Sequence, residues 1–375
     1  MVVKERLIDE FMELVQVDSE TGHEQEIAKV LKDKFMALGL EVKEDDSKER
    51  TGHGAGNLIA TWKATGTEQA PKILFTCHMD TVAPGVGIQP ELGEDGWIRS
   101  KGATILGADD KAGIAALFEA IRVAEEQKLP HGQIQFVITV GEESGLIGAR
   151  AMKPEDLDAE FGFALDSNGE VGSICIGAPT RANIEMTITG KSAHAGVNPE
   201  DGISAIQVAS KAISAMKLGR IDKDTTANIG KFEGGGATNV VCELVTLYAE
   251  ARSNVQEKMS QQIQQMRDAL ETTCREYGAQ SEFRSEVAYP AYKFKEDDEL
   301  VQLAQRAIRG IGLNSETFVS GGGSDANVFN GLGIPTVNLA LGYEYIHTTQ
   351  ERIKADDIVK ATEIVVAIIR ETAGK

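Results

Sequence analysis

The sequence predicts an α/β fold: a mixed, mostly parallel sheet sandwiched between helices, with a smaller α+β domain inserted into it. Three observations indicate this class. Amphipathic helical segments alternate with short apolar runs through roughly the first 175 residues. A strict alternation of apolar and polar residues, typical of strands with one solvated face, follows next. The first pattern then returns in the last part of the chain.

These changes in pattern divide the chain into two predicted domains. We expect residues 1–177 and 288–375 to form one α/β domain, and residues 178–287 to form the inserted domain. A chain of 375 residues, of which 42% are hydrophobic, is long enough to bury a core in each domain.

The elements of the first part follow from the spacing of apolar residues. Leu7, Phe11 and Leu14 mark a first helix. Thr21 and Glu24 have the spacing of a capping box, which would open a second helix. Five apolar runs then predict strands: NLIATW, KILFTC, IQFVITV, FGFALD and GSICIG. Between the second and third of these lies a predicted amphipathic helix, KAGIAALFEAIRVAEEQK, and the segment KEDDSKERTGHGAGN is a predicted polar loop.

The insert and the last part contain their own predicted elements. In the insert, two alternating segments predict strands, RANIEMTITG and TLYAEARS, and two long segments predict helices, ISAIQVASKAISAM and QEKMSQQIQQMRDALETTCREYG. The last part contains the predicted helix DELVQLAQRAIRG, the strands SETFVS and IPTVNLAL, and the final helix DDIVKATEIVVAIIRETA.

The charge and the apolar pattern argue against several classes of protein. With 38 basic and 58 acidic residues, the net charge is −20, which argues against a nucleic-acid-binding surface. We expect no membrane span, because no run of 18 apolar residues is present. The N-terminal segment MVVKERLIDEFMELVQ lacks the apolar block of a signal peptide. Four scattered cysteines indicate reduced thiols, so we predict a cytoplasmic protein.

Acidic and histidine side chains follow the ends of several predicted strands. They are His78, Asp80, Asp109, Asp110, Glu142, Glu143, Asp166 and, much later, His347. In open α/β sheets, ligands bind beyond the carboxyl ends of the strands, so these groups can converge on one rim. Converging carboxylates repel one another, and divalent cations remove that penalty. Two histidines and three carboxylates, one of them shared, suit a pair of zinc-like ions.

Each of these motifs alone also has a structural explanation. A histidine and an aspartate two residues apart often occur by chance. Paired aspartates before a helix complement its dipole, and paired glutamates fit a solvated turn. Asp166 fits an ordinary turn, and His347 fits an exposed surface position. The ordered set is therefore more specific than any of its members.

The ordered set resembles the dinuclear-zinc exopeptidases related to carboxypeptidase G and aminoacylase. The motifs that carry this resemblance are HMDT, GADDKAG, GEESGLIGA, LDSNG, KSAHAG and GGGSDANVF. Within that superfamily, ILGADDKAG and HMDTV are most similar to the peptidase T type, the tripeptide aminopeptidases. The resemblance spans nearly the whole chain. It implies a zinc-exopeptidase fold for the main domain and a lid and dimerisation role for the insert.

The resemblance also implies a role for each polar residue at the rim. Five residues would bind two Zn²⁺ ions, with Mn²⁺ or Co²⁺ as alternatives: His78, Asp109, Glu143, Asp166 and His347. Asp109 would bridge both ions, and its peptide bond to Asp110 would be cis. Glu142 would be the general base that generates a metal-bridged hydroxide, and Asp80 would orient His78.

The insert and a glycine-rich motif supply further candidate residues. The resemblance implies that His194 reaches the oxyanion from a partner subunit, in a homodimer formed through the insert. Taken alone, His194 is more often explained as a packing or capping histidine. Asn239 and Arg252 would bind substrate, since an arginine fork suits a carboxylate, although a surface salt bridge also explains Arg252. Three residues of SGGGSDANVF would line the substrate cleft: Gly322, Gly323 and Ser324. A phosphate cradle is the alternative for that motif, although no P-loop lysine follows.

The leading hypothesis is a dizinc exopeptidase that removes the N-terminal residue from short peptides. The alternative is a related dizinc amidohydrolase that cleaves N-acyl amino acids or dipeptides, because both share the metal ligands. The chain is shorter than a full peptidase T and differs around His347, which leaves the tripeptide preference open. The glutamyl aminopeptidase type is disfavoured, because its insert lies between the first histidine and the paired aspartates. A non-catalytic binding protein would be expected to lack Glu142 or a ligand, and none is missing.

Overall fold

The computed structural model describes residues 1–374 and divides the chain into two compact units. Unit 1 comprises Met1–Gly177, Lys293–Ser320 and the described part of Ser324–Lys375. Unit 2 comprises Ala178–Tyr292 and the short segment Gly321–Gly323.

The helices and strands alternate along most of the chain. The helices are α1 (Lys4–Val15), α2 (Gln25–Ala37), α3 (Ser47–Thr51), α4 (Ala108–Gln127), α5 (Ile147–Ala151), α6 (Ala205–Ala215), α7 (Gln256–Tyr277), α8 (Glu299–Gly310), α9 (Asp325–Gly331) and α10 (Ala355–Thr372). The first nine strands are β1 (Glu41–Glu44), β2 (Leu58–Trp62), β3 (Ile73–His78), β4 (Pro90–Leu92), β5 (Trp97–Ser100), β6 (Ile134–Thr139), β7 (Phe161–Ser167), β8 (Ser173–Ala178) and β9 (Thr180–Thr189). The remaining strands are β10 (Gly219–Arg220), β11 (Thr225–Gly234), β12 (Leu244–Ser253), β13 (Gln280–Tyr289), β14 (Tyr292–Lys293), β15 (Glu316–Val319), β16 (Thr336–Ala340) and β17 (Arg352–Lys354). Single 3₁₀ turns occur at Pro154–Asp156 and Pro199–Asp201.

Unit 1 contains a nine-stranded mixed sheet, which confirms the predicted α/β class. The strand order is β1-β2-β6-β3-β7-β16-β8-β14, and β15 pairs with β8. The central strands β6, β3, β7 and β16 are parallel to their neighbours within this group. Every residue of β3 and β6 is buried, because helices cover both faces of the sheet.

Side chains of β3 alternate between two cores. Ile73 and Phe75 belong to the large apolar core on one face, together with buried residues of α1, α2, α4, α8 and α10. Leu74 points to the opposite face and packs in a smaller core with Phe329 of α9. This period of two is the strand geometry that the apolar run in the sequence predicts.

A separate three-stranded antiparallel sheet, in the order β17-β5-β4, belongs to unit 1. The guanidinium of Arg352 in β17 lies 4.2 Å from the ring centroid of Trp97 in β5. This sheet anchors the chain directly after the segment that carries His347.

Unit 2 is an antiparallel sheet with two helices. The strand order is β10-β11-β12-β9-β13. Ile184 and Met186 of β9 are buried in a core that includes residues of α6 and α7, whereas the intervening Glu185 lies outside it. The expected insert boundary at residue 287 falls inside β13, because the pairing of β13 with β9 continues to Tyr289. The compact unit therefore extends to Tyr292.

Two local expectations are wrong. The hydroxyl of Thr21 does not cap α2, because it donates to the Asp80 carboxylate at 2.6 Å. The predicted polar loop after β1 contains the short helix α3. Asp45, at its start, is buried and accepts hydrogen bonds from the amides of Ser47 and Asn57, both at 2.9 Å. Within residues 1–374, none of the helices combines the length and the apolar character needed to cross a bilayer.

Candidate metal centre

The polar side chains of unit 1 meet at the carboxyl ends of three neighbouring strands. His78 is the last residue of β3, Asp166 lies near the end of β7, and Glu142 and Glu143 follow β6. Because β6, β3 and β7 are adjacent and parallel, these ends share one edge of the sheet. Asp109 lies in the first turn of α4, where its peptide bond to Asp110 is cis, as the resemblance implies.

Asp109 lies between the two histidines. Its Oδ1 is 3.0 Å from Nε2 of His78, and its Oδ2 is 3.4 Å from Nε2 of His347. The two histidines belong to opposite ends of the chain. Each oxygen of a single carboxylate therefore faces a different imidazole.

The remaining expected ligands complete two groups around this carboxylate. His78 and Asp109 form one group with Asp166, and Asp109 and His347 form the other with Glu143. The Glu143 Oε1 is 2.9 Å from Nε2 of His347. Within each group the ligand atoms lie within 4.8 Å of one another. His78, Glu142 and Glu143 meet the same criterion, so Glu142 belongs to the same cluster.

His347 is brought to the cluster by a sharply turned segment between β16 and β17. Tyr345 and His347 both have positive φ angles, of 57° and 62°. This left-handed conformation is rare for residues other than glycine. The His347 side chain is about half exposed, at 49%, so this side of the cluster is open to solvent.

Asp80 contacts both His78 and the turn that carries the two glutamates. The backbone carbonyl of Asp80 is 2.9 Å from Nδ1 of His78, whereas its carboxylate lies 3.5 Å away. The carboxylate accepts the amides of Glu142 at 3.0 Å and Glu143 at 3.2 Å, as well as the Thr21 hydroxyl. The expected contact with the ring is therefore made by the carbonyl oxygen, and the carboxylate fixes the backbone of the glutamate turn.

Asp166 is displaced from the regular ladder by a bulge. The register between β16 and β7 shifts between the pairs Asn338–Ala164 and Ala340–Ser167. The Asn338 side chain replaces the lost ladder bonds, because its Oδ1 accepts the Asp166 amide at 2.9 Å and its Nδ2 donates to the Asp166 carbonyl at 2.6 Å. The Tyr343 hydroxyl donates to the Asp166 carboxylate at 3.3 Å.

The cluster concentrates negative charge in a poorly solvated place. Burial raises the pKa of Asp166 well above its usual range, and nearby Glu142 adds to the rise. Burial likewise raises the pKa of Glu142, with Asp325 and Glu143 contributing. These carboxyls are too close together to ionise freely without added positive charge.

The two histidines respond in the opposite sense to this negative charge. Burial works against protonation of His78, but hydrogen bonds with Asp109 and Asp80 raise its pKa well above the usual value. Hydrogen bonds with Asp109 and Glu143 raise the pKa of His347 to about 10. Protons on the two rings thus balance part of the negative charge that bound cations would otherwise neutralise.

The donor set fits two divalent cations. It offers imidazole nitrogens and carboxylate oxygens, which are ligands that zinc, manganese and cobalt all accept. Two ions that share one ligand need a bridging carboxylate, and Asp109 presents one oxygen to each group. His78 is also held through its second ring nitrogen, as is usual for metal-binding histidines.

The candidate residues of unit 2 lie in environments of a different kind. His194 is exposed, and its Nδ1 accepts the amide of Gly196 at 3.1 Å. The His194 turn pairs with the segment that carries Asn239, because the Ala195 amide donates to the Asn239 carbonyl at 2.9 Å. The structure therefore brings His194 and Asn239 together, although they are 45 positions apart in the sequence.

Arg252 already has a carboxylate partner. Its Nε and Nη2 donate to the two oxygens of Glu250 at 2.8 and 3.2 Å. Arg181 shares this partner, with its Nε 3.0 Å from the Glu250 Oε2. The arginine fork that was expected to bind substrate is thus occupied by an internal acid.

The glycine-rich motif divides between the two units. Gly323 belongs to unit 2 and packs so closely on Tyr289 that a Cβ would lie 2.4 Å from its ring. Ser324 is buried in unit 1, where it caps α9 and its Oγ accepts from Nδ2 of Asn338 at 3.0 Å. The Ser324 hydroxyl is thus engaged at the helix terminus, and the role of Ser324 in lining a substrate cleft stays a prediction. Gly322 is partly buried.

Several residues around the cluster were not selected by the sequence motifs. Four of them contact an expected ligand or Asp80: Thr21, Asn338, Tyr343 and Glu351. Lys111 is fully buried, its Nζ donates to the Ser19 hydroxyl at 2.8 Å, and burial lowers its pKa to about 8. A polar Asn338 inside the apolar run TVNLA was the clearest available signal, since buried strand residues are rarely amides.

Comparison with known proteins finds relatives that cover nearly the whole chain. Residues 74–371 match the family model described as peptidase family M20/M25/M40. The chain is 58% identical over 373 residues to YqjE, an uncharacterized protein of Bacillus subtilis, with 100% of both chains covered. It is 57% identical to the solved aminopeptidase PepT of Bacillus cereus, covering 99% of each chain with a TM-score of 0.91. A solved tripeptidase of Staphylococcus aureus is 50% identical over 100% of both chains, with a TM-score of 0.95. These matches confirm the resemblance that the motifs indicate.

Proposed function

The chain belongs to peptidase family M20/M25/M40, and we propose that it is a two-metal aminopeptidase that removes the N-terminal residue from short peptides. The observation that carries this proposal is the position of Asp109, which presents one carboxylate oxygen to His78 and the other to His347. A carboxylate shared in this way is what a pair of ions about 3.5–4 Å apart requires. The similarity to a solved aminopeptidase and a solved tripeptidase supports the choice of substrate class.

We assign the metal ligands by group. One ion would be held by His78, Asp109 and Asp166, and the other by Asp109, Glu143 and His347. When bound, such ions lower the pKa of a coordinated water and polarise the carbonyl that is attacked.

Glu142 is the proposed general base. It lies in the cluster beside His78 and Glu143, and it is not needed to complete either ligand group. It accepts a proton from the attacking water and later returns that proton to the leaving amine. The Asp80 carboxylate accepts the backbone amide of Glu142 at 3.0 Å, so the backbone from which the proposed base extends is held in place. The two adjacent glutamates thus take different roles, since Glu143 belongs to the ligand group of Asp109 and His347 and Glu142 does not.

The substrate-binding residues are proposed from the resemblance. We assign His194 to the oxyanion. The residues assigned to the substrate are Asn239, Arg252, Gly322, Gly323 and Ser324. The bond between Arg252 and Glu250 means that a substrate carboxylate must compete with an internal acid. An arginine fork at this position suits substrates that carry a free C-terminal carboxylate close to the scissile bond, as short peptides do.

The decisive experiment compares two substrate panels on protein reconstituted with Zn²⁺, Mn²⁺ or Co²⁺. One panel contains dipeptides, tripeptides and tetrapeptides with free N-termini, and the other contains the same peptides acetylated, together with N-acyl amino acids. We expect release of the first residue from the free peptides, with tripeptides preferred. Hydrolysis confined to the acylated panel would reject the aminopeptidase assignment and establish the amidohydrolase alternative.

We further propose that the protein forms a homodimer through unit 2. Large apolar side chains of this unit are exposed to solvent, among them Val197 at 75% and Leu244 at 51%. The resemblance implies a subunit contact through this unit, and contiguous exposed apolar side chains are what such contacts cover. Sedimentation equilibrium of the wild type and of a Val197→Lys, Leu244→Lys variant tests this proposal. A wild-type monomer at micromolar concentration would reject it.

A further inference from the structure

Glu351 makes an unusual set of contacts beside the metal centre. It is 3% exposed and immediately precedes β17. Its Oε2 accepts the amides of Leu106 and Gly107, both at 2.8 Å, and its Oε1 accepts the amide of Asp109 at 3.0 Å. One side chain therefore binds three backbone amides of the segment that carries the shared carboxylate.

These amides lie where α4 begins, and they have no local acceptor. The amides of Leu106 and Gly107 precede the first helical residue, Ala108, and Asp109 and Asp110 have non-helical backbone angles. The helix therefore supplies no acceptor for these three amides, and a side chain must do so. The residue at the cap position is Gly107, which has no side chain to offer. Glu351 supplies the missing acceptor from 242 to 245 positions away in the sequence.

The same glutamate is close to the other histidine ligand along the chain. Glu351 follows His347 by four residues, and its amide donates to the Thr348 carbonyl at 3.1 Å. The segment is closed at its ends by two hydrogen bonds between Glu344 and Arg352, at 2.8 and 3.0 Å. The backbone of Glu351 therefore belongs to the closed segment that carries His347, and its carboxylate binds the segment that carries Asp109.

We propose that Glu351 is a positioning residue that holds the Asp109 segment in register with His347, so that one carboxylate can serve both ions. It touches neither ligand side chain. It connects the backbones of two ligands that come from opposite ends of the chain. This inference rests on the proposed metal centre.

The test uses full-length protein with Glu351→Gln, Glu351→Asp and a matched control, Glu344→Gln. In Glu351→Gln an amide NH₂ must face at least one backbone N–H, so a hydrogen bond is replaced by a donor–donor contact. Glu351→Asp keeps the charge but shortens the reach. The control, Glu344→Gln, removes a carboxylate from the same segment. That carboxylate accepts a hydrogen bond from the Arg352 side chain at 2.6 Å and from none of the amides that Glu351 binds.

Three quantities are measured for each variant: metal stoichiometry and affinity by competition with a chromophoric chelator, kcat and KM on a tripeptide, and the unfolding midpoint of metal-free protein. We expect Glu351→Gln to bind Zn²⁺ and Mn²⁺ about 10–100-fold more weakly, as loss of a residue that supports a ligand usually does. Its kcat falls while KM changes little. We expect a smaller loss of affinity for Glu351→Asp and none for Glu344→Gln.

Two results would overturn the assignment. If Glu351→Gln and Glu351→Asp lower the unfolding midpoint of metal-free protein but bind both ions with wild-type affinity, Glu351 only stabilises the fold. If the wild type itself fails to bind two ions, the metal centre is refuted and this role falls with it. The second result is seen in wild-type protein alone, so it is distinguished from the first before any variant is compared.

Discussion

The two units of this protein hold their functional candidates in contrasting ways. In unit 1, His78 and Asp109 are buried, and their side chains meet at 3.0 Å. In unit 2, His194 is exposed on a turn, and Arg252 is paired with Glu250. The chemistry of unit 1 is therefore assembled within the fold, whereas the side chains of unit 2 are accessible or bound to internal partners that a ligand would have to displace.

This contrast has a physical origin. Buried charged groups are tolerated only when partners or cations compensate them, so a buried cluster must be built to a fixed geometry. Exposed groups carry no such requirement, and solvent screens them. We therefore expect substitutions in the unit 1 cluster to affect metal binding and turnover, and substitution of Arg252 in unit 2 to affect substrate affinity.

The largest effect is expected for Asp109→Asn. The amide removes one of the two oxygens that face the histidines, as well as the negative charge shared by both ligand groups. We expect fewer than two ions per chain and a fall in kcat/KM of more than about 10⁴-fold, which corresponds to more than about 5 kcal/mol. Metal analysis and steady-state kinetics check this, with Asp95→Asn, an exposed aspartate paired with Arg99, as the control. Retention of two ions and substantial turnover would contradict the bridging role.

Glu142→Gln is expected to separate chemistry from metal binding. The variant keeps the size of the side chain and removes its ability to accept a proton. We expect kcat to fall about 10²–10⁴-fold, while two ions remain bound and KM changes little. Unchanged turnover would refute the assignment of the base. Loss of an ion would instead make Glu142 a ligand, a role that its membership of the cluster with His78 and Glu143 also permits.

Removal of the metals should make the stability of unit 1 depend on pH in a definite direction. In metal-free protein, burial raises the pKa of Asp166 above its usual range and that of Asp325 to about 7, while hydrogen bonds to carboxylates raise the pKa of His78. The native state then binds more protons than the unfolded state between pH 5 and pH 8. The free energy of unfolding should therefore fall as pH rises, by about 1.4 kcal/mol per pH unit for each extra proton.

Chemical denaturation of EDTA-treated protein at pH 5, 6.5 and 8 measures this slope. Protein loaded with Zn²⁺ is the reference, and its slope should be smaller or reversed because cations replace the protons. A metal-free protein that gains stability as pH rises across this range would show that the cluster is not the dominant titrating region.

The smallest effect is expected for Arg252→Ala. The Arg252 guanidinium is paired with Glu250, so a substrate carboxylate would bind an arginine that is already partly neutralised. Removing the guanidinium therefore costs only part of a full ion pair with the substrate. We expect KM to rise about tenfold, or about 1.4 kcal/mol, with kcat nearly unchanged and metal content unchanged. Arg284→Ala, which removes an exposed arginine paired with Glu282 on the same sheet, is the matched control. Equal effects of the two substitutions would remove Arg252 from the substrate site.

Local patterns predicted most of the fold, because apolar periodicity records which faces are buried. The runs that became β3, β6 and β7 were identifiable by their length and composition, and so were α4, α7 and α10. The capping role expected for Thr21 was wrong, because the competing acceptor, Asp80, is 59 positions away. Local spacing cannot reveal a partner that only the folded chain brings near.

The same limit explains why the sequence motifs identified the proposed metal ligands but not the residues that position them. His78, Asp109 and Glu143 belong to motifs whose order carries information. Asn338 and Glu351 act on backbone groups, which leave no pattern in the sequence, and their partners lie more than 170 positions away. A glutamate four residues after His347 was visible in the sequence. Nothing local indicated that its carboxylate would accept the backbone amides at the start of α4.

The central claim is that one carboxylate joins two metal ions held by residues from both ends of the chain. Crystals grown with Mn²⁺ and measured at an energy where manganese scatters anomalously test it most directly. We predict two anomalous peaks about 3.5–4 Å apart, one beside His78 and Asp166 and the other beside His347 and Glu143, with Asp109 between them. A single peak, or two peaks that do not share Asp109, would contradict this account.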